Sequence, residues 1–259
     1  MSFLESESDG LGLSRRHFFD SLIFPFMAVS LLWVIHIWQM LDGFDPGMYG
    51  IMSRRLWGLR GIVTGPLVHG SWKHLMSNSV PLFVLTFLSL YFYRKVAMQA
   101  FWLIYFLTNS AVWLFARPVS HIGASGLVYG LVAFIFWTGI FRRSLRSIVL
   151  AGIVMLLYSG MFMGILPEQE GISWESHLLG SIAGIFVAFM FKSELEEDEV
   201  KNQPDPFLDD VDTEKKPFLS ADIFDKTKLQ RAWEKEEEIR RQKESSDFFS
   251  TFWNQDKTW

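Results

Sequence analysis

The sequence contains no cysteine and has few charged residues for its length. Only 20% of its 259 residues are Asp, Glu, Lys or Arg, whereas 50% are hydrophobic, with 25 Phe and 11 Trp. The absence of cysteine excludes disulfides, Cys-ligated metal sites and a thiol nucleophile. Soluble domains usually carry more charge, about a quarter of their residues. The composition therefore predicts a membrane protein.

Charge divides the chain into regions. Residues 1–191 contain 12 Lys/Arg and nine Asp/Glu, whereas residues 192–259 contain 12 Lys/Arg and 19 Asp/Glu. We predict an N-terminal segment (1–19), a membrane domain (20–191) and an acidic, polar tail (192–259). The tail is predicted to be solvated and weakly structured, or to form a loosely attached helix over 226–244 with Glu237 and Arg241 spaced for a surface pair.

Long uncharged windows predict the membrane spans. A hydrocarbon core of about 30 Å needs roughly 20 apolar residues in a helix. Five windows free of Asp, Glu, Lys and Arg meet this length, at 22–41, 75–93, 96–116, 122–141 and 147–166. A sixth, 177–191, reaches it only if extended back through Ser173 and Glu175. The acidic start and the lack of a small-residue cleavage site indicate a first span rather than a cleaved signal peptide.

Basic residues predict the orientation of these six helices. Lys and Arg lie at 15–16, 94–95, 142–146 and 192, at junctions that share one side of the membrane. That side is predicted to be cytoplasmic, which places both termini in the cytoplasm. The long loop 42–73 is an exception, because it contains three Arg and one Lys on the opposite side.

Polar residues inside membrane helices are costly and usually mark function. His74 and Asn78 lie four residues apart and share one face of the second helix. Ser125 stands between Gly123 and Gly126 at the start of the fourth. Each patch also has a plainer interpretation, as an interhelical hydrogen bonder or a close-packing surface.

The sixth helix begins with His177, which lies on the same side as Gly180 and Gly184. These glycines form a stripe that allows close helix packing, and a structural histidine is the plainer interpretation. By the predicted topology His74, Ser125 and His177 lie at similar depth, near the outer ends of three helices. A nucleophile, a base and hydrogen-bond donors at one depth are the groups that acyl transfer requires.

Taken together, these motifs resemble the rhomboid family of intramembrane serine proteases. The resemblance covers about residues 20–191 and rests on H-x4-H-x3-N at His69, His74 and Asn78, on GASG around Ser125 with Tyr129 four residues later, and on H-x2-G-x3-G at His177, Gly180 and Gly184. It implies a six-helix bundle that cleaves transmembrane protein substrates.

The resemblance also implies a role for each residue. Ser125 would be the nucleophile and His177 the base, without a buried carboxylate, and Tyr129 would pack on the His177 ring. His74, Asn78 and the Ser125 backbone N–H would form the oxyanion hole. Segment 167–174 would cap the site. One departure is that Trp57 and Arg60 are separated, whereas many members have an adjacent Trp-Arg pair, so the role of that pair is not transferred.

Two other classes of protein remain as alternatives. A catalytically inactive rhomboid-like protein would bind membrane clients, but such relatives usually lack the nucleophile or base. A six-helix transporter would spread polar residues through the membrane depth. We expect a multi-pass protein of the bacterial plasma membrane with its site toward the outer face. We expect no metal, cofactor or nucleic acid, and the oligomeric state stays open.

Overall fold

The computed structural model describes residues 2–167, 173–196, 199 and 227–255, without the side chains of 2–14, 162, 228, 242 and 244–255. Contacts divide the chain into two units, Met1–Asn202 and Gln203–Trp259. The first unit therefore continues past the predicted domain end at residue 191.

Seven helices and a short sheet make up the described part of the first unit. The helices are α1 (Ser2–Asp42), α2 (Gly61–Thr64), α3 (Trp72–Phe92), α4 (Ala97–Phe115), α5 (Ser125–Arg142), α6 (Leu145–Tyr158) and α7 (Trp174–Met190), and the strands are β1 (Ile51–Met52) and β2 (Ser120–His121). Short 3₁₀ segments add Pro46–Tyr49, Leu56–Arg60, Gly65–Leu67 and Ser159–Ile165. The predicted helical fold class is confirmed.

Four of the described helices are long and apolar enough to cross a membrane. They are Arg15–Asp42, Trp72–Phe92, Ala97–Phe115 and Ser125–Arg142. Two more apolar helices, Leu145–Met161 and Trp174–Met190, are shorter. The fifth predicted window, 147–166, thus changes from α-helix to 3₁₀ geometry at Ser159. The first predicted span is part of a longer helix that already begins at Ser2.

Glycines allow α5 and α7 to pack backbone against backbone. A Cβ added at Gly180 would overlap the carbonyl of Gly126, and one added at Gly184 would overlap the carbonyl of Gly130. The helices approach this closely because neither presents a side chain at these points. This contact agrees with the prediction that the Gly180/Gly184 stripe allows close helix packing. It brings the first turns of α5 and α7 together.

The apolar core lies around α5, and the outer helices expose apolar side chains. Phe134 and Ile135 of α5 are fully buried, as are Leu85 of α3 and Ile104 of α4. In contrast, only 17% of the apolar window in α1 is buried within the protein. Hydrophobic residues on the outside are the expected surface of a helix in contact with lipid.

Hydrogen bonds attach the loop between α1 and α3 to the bundle. β1 pairs antiparallel with β2, with Ile51 opposite His121. Arg54 Nη1 donates to the carbonyl of Ala116 at 3.0 Å, and Gln39 Nε2 donates to the carbonyl of His69 at 3.0 Å. The loop is therefore fixed to α1 and to the end of α4.

The second unit contains α8 (Lys228–Gln255). This helix includes most of the stretch predicted at 226–244, and Glu237 and Arg241 form the expected surface pair at 3.4 Å. The side chains of Leu229, Trp233 and Ile239 are exposed.

Candidate active site

Ser125 and His177 lie on neighbouring helices and meet at hydrogen-bonding distance. Ser125 is the first residue of α5, and His177 lies in the first turn of α7. The distance between Ser125 Oγ and His177 Nε2 is 2.9 Å. The close packing of α5 on α7 brings together two residues that are 52 positions apart in the sequence. Within the described residues, a hydroxyl and an imidazole thus have the geometry needed for proton transfer.

The other ring nitrogen of His177 determines which tautomer is present. His177 Nδ1 lies 2.8 Å from the carbonyl oxygen of Gly164, in the 3₁₀ segment after α6. A carbonyl oxygen only accepts, so Nδ1 carries the proton and Nε2 presents its lone pair to the Ser125 hydroxyl. The neutral imidazole is therefore held in the form that can take a proton from serine.

Tyr129 fixes the plane of the imidazole. The rings of Tyr129 and His177 stack at 4.0 Å between centroids and 8° between planes. The Tyr129 hydroxyl donates to the carbonyl of Met161 at 2.7 Å. The 3₁₀ segment Ser159–Ile165 thus contacts the site twice, through Met161 and through Gly164. The predicted packing of Tyr129 on His177 is present.

A left-handed turn precedes Ser125 and brings the polar residues of α3 close. Gly123 has φ +95°, a conformation that favours glycine, and its N–H donates to the carbonyl of Gly65 at 2.9 Å. A Cβ on Gly123 would collide with the His74 ring and would lie 3.3 Å from Asn78 Nδ2. The absence of a side chain here leaves His74 and Asn78 next to the start of α5.

Asn78 presents a donor that the described protein does not use. Its side chain is 4% exposed, and Nδ2 has no hydrogen-bond partner in the described part of the chain. A buried amide without a partner costs roughly 1–3 kcal/mol. Such a donor is suited to an oxygen that acquires charge during a reaction. The backbone N–H of Ser125, in the first turn of α5, likewise lacks an intrahelical acceptor.

These groups face a cavity of about 930 Å³. Pro81 on α3, Tyr158 on α6 and Met161 after α6 line this cavity. Its walls also include every predicted polar site residue, namely Ser125, His177, His74, Asn78 and Tyr129. Gly123 and Gly126 lie beside Ser125 but do not line the cavity wall; Gly126 packs on α7. The predicted cap, 167–174, falls largely on residues 168–172, which lie outside the described residues.

The rim of the cavity contains a hydrogen-bond chain that sequence reasoning missed. His121 Nε2 donates to the carbonyl of Arg117 at 3.0 Å, so its Nδ1 accepts from Ser173 Oγ at 2.5 Å. Ser176 Oγ follows at 2.7 Å from Ser173. Burial lowers the pKa of His121, against the hydrogen bond to Arg117. The only sequence signal was a histidine four residues before Ser125.

An ion pair lies next to this chain. Arg117 donates through Nε and Nη2 to both carboxylate oxygens of Glu175, and the Glu175 side chain is only 8% exposed. The pair joins the loop before α5 to the first turn of α7. It therefore supports the relative position of the two helices that carry Ser125 and His177.

His69 is buried between the polar residues of α1 and α3. Its side chain is 0% exposed, and its ring centroid lies 5.1 Å from that of His74. Burial, with the neighbouring His74 and His36 rings, lowers the pKa of His69 to about 3. His69 is therefore neutral at physiological pH.

The low pKa of His69 predicts acid sensitivity. The unfolded chain binds a proton near pH 6.5, the folded chain only near pH 3, so stability is full above pH 6.5 and falls as pH decreases towards 3. The slope contributed by one proton approaches about 1.4 kcal/mol per pH unit. In detergent between pH 7 and 4, the free energy of unfolding of His69→Asn should change less steeply with pH than that of wild type. Well above pH 6.5 the two slopes should coincide, and equal slopes down to pH 4 would contradict the assignment.

This chain is similar to known proteins over more than half of its length. The profile of the Rhomboid domain matches residues 53–194. An uncharacterized protein of Mycobacterium tuberculosis is 34% identical over 174 residues, which are 64% of this chain and 72% of that protein. A putative rhomboid protein of Acanthamoeba polyphaga mimivirus is 30% identical over 133 residues, 48% of this chain and 70% of the viral protein.

The apolar helices and this domain define an integral membrane protein. The chain belongs to the rhomboid family, as its motifs predicted.

Proposed function

We propose that this chain is an intramembrane serine endopeptidase that cleaves transmembrane segments of other proteins with a Ser125–His177 dyad. The main support is the 2.9 Å contact between Ser125 Oγ and His177 Nε2, made by an imidazole whose other nitrogen is bonded to the Gly164 carbonyl. Rhomboid proteins are generally proteases of this class, and both reactive groups line one cavity.

The reaction follows the order of proton transfers that this geometry allows. Ser125 Oγ attacks the scissile carbonyl carbon while its proton passes to His177 Nε2. The imidazolium then gives this proton to the leaving amine, the C–N bond breaks, and an acyl-enzyme forms. A water molecule, deprotonated by the same nitrogen, hydrolyses the ester and restores Ser125. The Gly164 carbonyl and the Tyr129 ring hold the imidazole in place throughout.

The oxyanion would be stabilised by His74, by Asn78 Nδ2 and by the Ser125 backbone N–H. The last of these lies at the N-terminus of α5, where the helix dipole favours negative charge. The unpartnered state of Asn78 Nδ2 supports this role, because the donor needs no other bond to break before it binds the oxyanion.

The proposed topology has six spans, α1 and α3–α7, with both termini in the cytoplasm. From Leu145 to Ile165, α6 and its 3₁₀ extension rise about 35 Å, enough for a bilayer core. The 17 residues of α7 rise only about 25 Å. A short last span keeps His177 near the outer surface of a bacterial plasma membrane, where water can enter.

Comparing cleavage of a membrane-embedded substrate with cleavage of a soluble peptide tests the proposal. The protein is reconstituted in liposomes with a labelled single-pass protein that has small residues near the outer end of its membrane helix. Cleavage within that helix is expected, because the site lies inside the bundle. A soluble extended peptide of the same residues should be cut much more slowly. Cutting of the soluble peptide alone would refute the proposal, and binding without cleavage would indicate a client-binding protein.

Removal of the Asn78 amide is expected to slow the reaction. Losing one oxyanion donor typically costs about 2.7–4 kcal/mol, or roughly 10²–10³ in kcat. Asn78→Ala should therefore show a lower kcat with little change in KM. Ser77→Ala, also on the cavity wall, has a hydroxyl bonded within its own helix and should remain near wild type. An unchanged kcat in Asn78→Ala would exclude the amide from the oxyanion hole.

A further inference from the structure

Lys73 is a cation on the cavity wall that has no part in the proposed chemistry. It is the second residue of α3, its side chain is exposed, and it lines the same cavity as Ser125 and His177. A positive charge in the first turn of a helix is unfavourable, because the helix dipole already places partial positive charge there. Lys73 therefore does not stabilise α3 through its charge, and its contribution has to come from what enters the cavity.

Other cations of the segment 42–73 are bound to the protein itself. Arg54 Nη1 donates to a carbonyl just after α4 at 3.0 Å. Arg60 Nη2 donates to a carbonyl of the 3₁₀ segment Pro46–Tyr49 at 2.6 Å. In contrast, the Lys73 ammonium makes no hydrogen bond or ion pair within the described part of the chain. Its charge is therefore available to a partner from outside.

Arg117 is the second cation on the cavity wall, and its charge is balanced. It donates through Nε and Nη2 to both carboxylate oxygens of Glu175. Glu175 itself does not line the cavity, and no Asp or Glu is present among the described residues that do. The wall formed by these residues thus contains the charge of Lys73 without a counterion.

The starts of three helices add to the positive potential of the cavity. Ser71, the N-cap of α3, Ser125, the first residue of α5, and Ser173, the N-cap of α7, all line it. A helix N-terminus is equivalent to roughly half a positive elementary charge, and a cleft with low-dielectric walls concentrates the field. The cavity therefore favours a negatively charged group, and Lys73 provides a side chain that can pair with it.

The position of Lys73 along α3 indicates which part of a substrate it meets. Lys73 lies five residues before Asn78, the proposed oxyanion donor, and so about 7.5 Å nearer to the start of the helix. An extended chain advances about 3.3 Å per residue, so this height corresponds to about two residues from the scissile bond. In the proposed topology the start of α3 faces the outside of the membrane.

We propose that Lys73 is a specificity-determining residue that selects membrane substrates with an Asp or Glu about two residues from the scissile bond, on its outer side. The ammonium pairs with this carboxylate on the cavity wall while the scissile carbonyl lies at Ser125. The inference rests on the proposed endopeptidase function. It concerns which substrates are cut, not whether cleavage occurs.

Matched substrates in liposomes of neutral phospholipid test this selection. Three pairs of single-pass proteins carry Asp or Asn at the first, second or third residue outside a fixed cleavage site. For wild type at low salt, kcat/KM should be at least about threefold higher with Asp at the second residue, mainly through KM. Salt at 1 M should remove most of this difference, since the Debye length falls to about 3 Å. Equal rates within all three pairs would overturn the proposal.

Variants of Lys73 assign the preference to this side chain. Lys73→Gln should cleave the Asp and Asn substrates with equal kcat/KM, whereas Lys73→Arg should retain the preference for Asp. Arg55→Gln is the matched control, because it removes the same charge from the same loop at an exposed residue that does not line the cavity. A preference that persists in Lys73→Gln, or that is equally lost in Arg55→Gln, would refute a direct pair.

Reversal of the charge separates pairing from a general loss of activity. Lys73→Glu should cleave a substrate with Lys at the second residue faster than the Asp substrate, which is the opposite order to wild type. A double-mutant cycle over the two charges should give a favourable coupling for each opposite-charge combination. A structural role for Lys73 would slow all substrates by the same factor, and that result would contradict the proposal.

An anionic lipid headgroup is the other source of negative charge for Lys73. Phosphatidylglycerol added to the liposomes should leave the preference for Asp in place. Instead, if Lys73→Gln changed the rates of both substrates equally and only in anionic liposomes, the partner would be lipid and the proposal would be wrong. Fluorophosphonate labelling of Ser125 should agree within about twofold between wild type and Lys73→Gln, because the probe carries no carboxylate. If wild type neither labels nor cleaves, the proposed function fails and this inference with it; cleavage without a preference for Asp removes the inference alone.

Discussion

Replacement of Ser125 by alanine is expected to abolish cleavage of the membrane substrate and all labelling by a fluorophosphonate. In the proposed mechanism the dyad acts as a unit, so either partner alone would retain only the rate provided by the oxyanion hole and by binding. Loss of at least about a thousandfold in kcat is expected for Ser125→Ala. His177→Ala should lose a similar factor, since no other base lies at 2.9 Å from Ser125 Oγ in the described residues.

The double variant provides an independent test of this coupling. Ser125→Ala/His177→Ala should be no slower than Ser125→Ala alone, because the second change removes a base that has no proton left to accept. Ser181→Ala is the matched control. Its hydroxyl donates to the His177 carbonyl at 2.9 Å within α7, and its activity should stay within about twofold of wild type. Equal cleavage by wild type and Ser125→Ala would end the serine protease interpretation.

A single methyl group at Gly180 is expected to inactivate the protein. The added Cβ would overlap the carbonyl of Gly126, and a backbone atom cannot rotate away as a side chain can. α7 must therefore move from α5, and Ser125 and His177 move with their helices. A displacement of about 1 Å at a reacting pair can cost roughly a hundredfold in rate. Overpacking itself costs about 1–3 kcal/mol of stability.

Gly152→Ala supplies the matched control for this variant. Gly152 lies on α6, and nothing is within 4 Å of a Cβ added there. Alanine is favoured over glycine in a helix by about 1 kcal/mol, so this variant should be as active as wild type and as stable or more so. Activity and thermal unfolding in detergent measure both effects. Full activity of Gly180→Ala would show that α5 and α7 do not need this contact to hold the dyad.

Several elements were predictable because their signals are local. The apolar windows located the helices, since each window must satisfy its own backbone hydrogen bonds in lipid. The glycine stripe on α7 predicted close packing, and its partner surface is the Gly126 and Gly130 backbone. The motif spacing placed Ser125 and His177 at helix starts, which is where they lie.

Other features depend on contacts between distant segments. Glu199 is one of 19 acidic residues in 192–259, and nothing in the sequence around it distinguishes it from the others. Its carboxylate is distinguished only in the folded structure, where Arg142 and Ser147 lie beside it and donate hydrogen bonds to it. The contact of the Gly164 carbonyl with His177 could not be predicted either. Every residue has a backbone carbonyl, and the sequence does not show which one meets the imidazole.

The sequence by itself determined the kind of protein and the groups available for chemistry. Hydrophobic length predicts membrane helices, and the residue types at their starts predict a reaction that uses a hydroxyl and an imidazole. The tertiary structure alone decided which nitrogen of His177 carries the proton and that Glu199 pairs with Arg142, because a tautomer or a buried ion pair depends on which atoms lie about 3 Å away. That distance is set by helix packing.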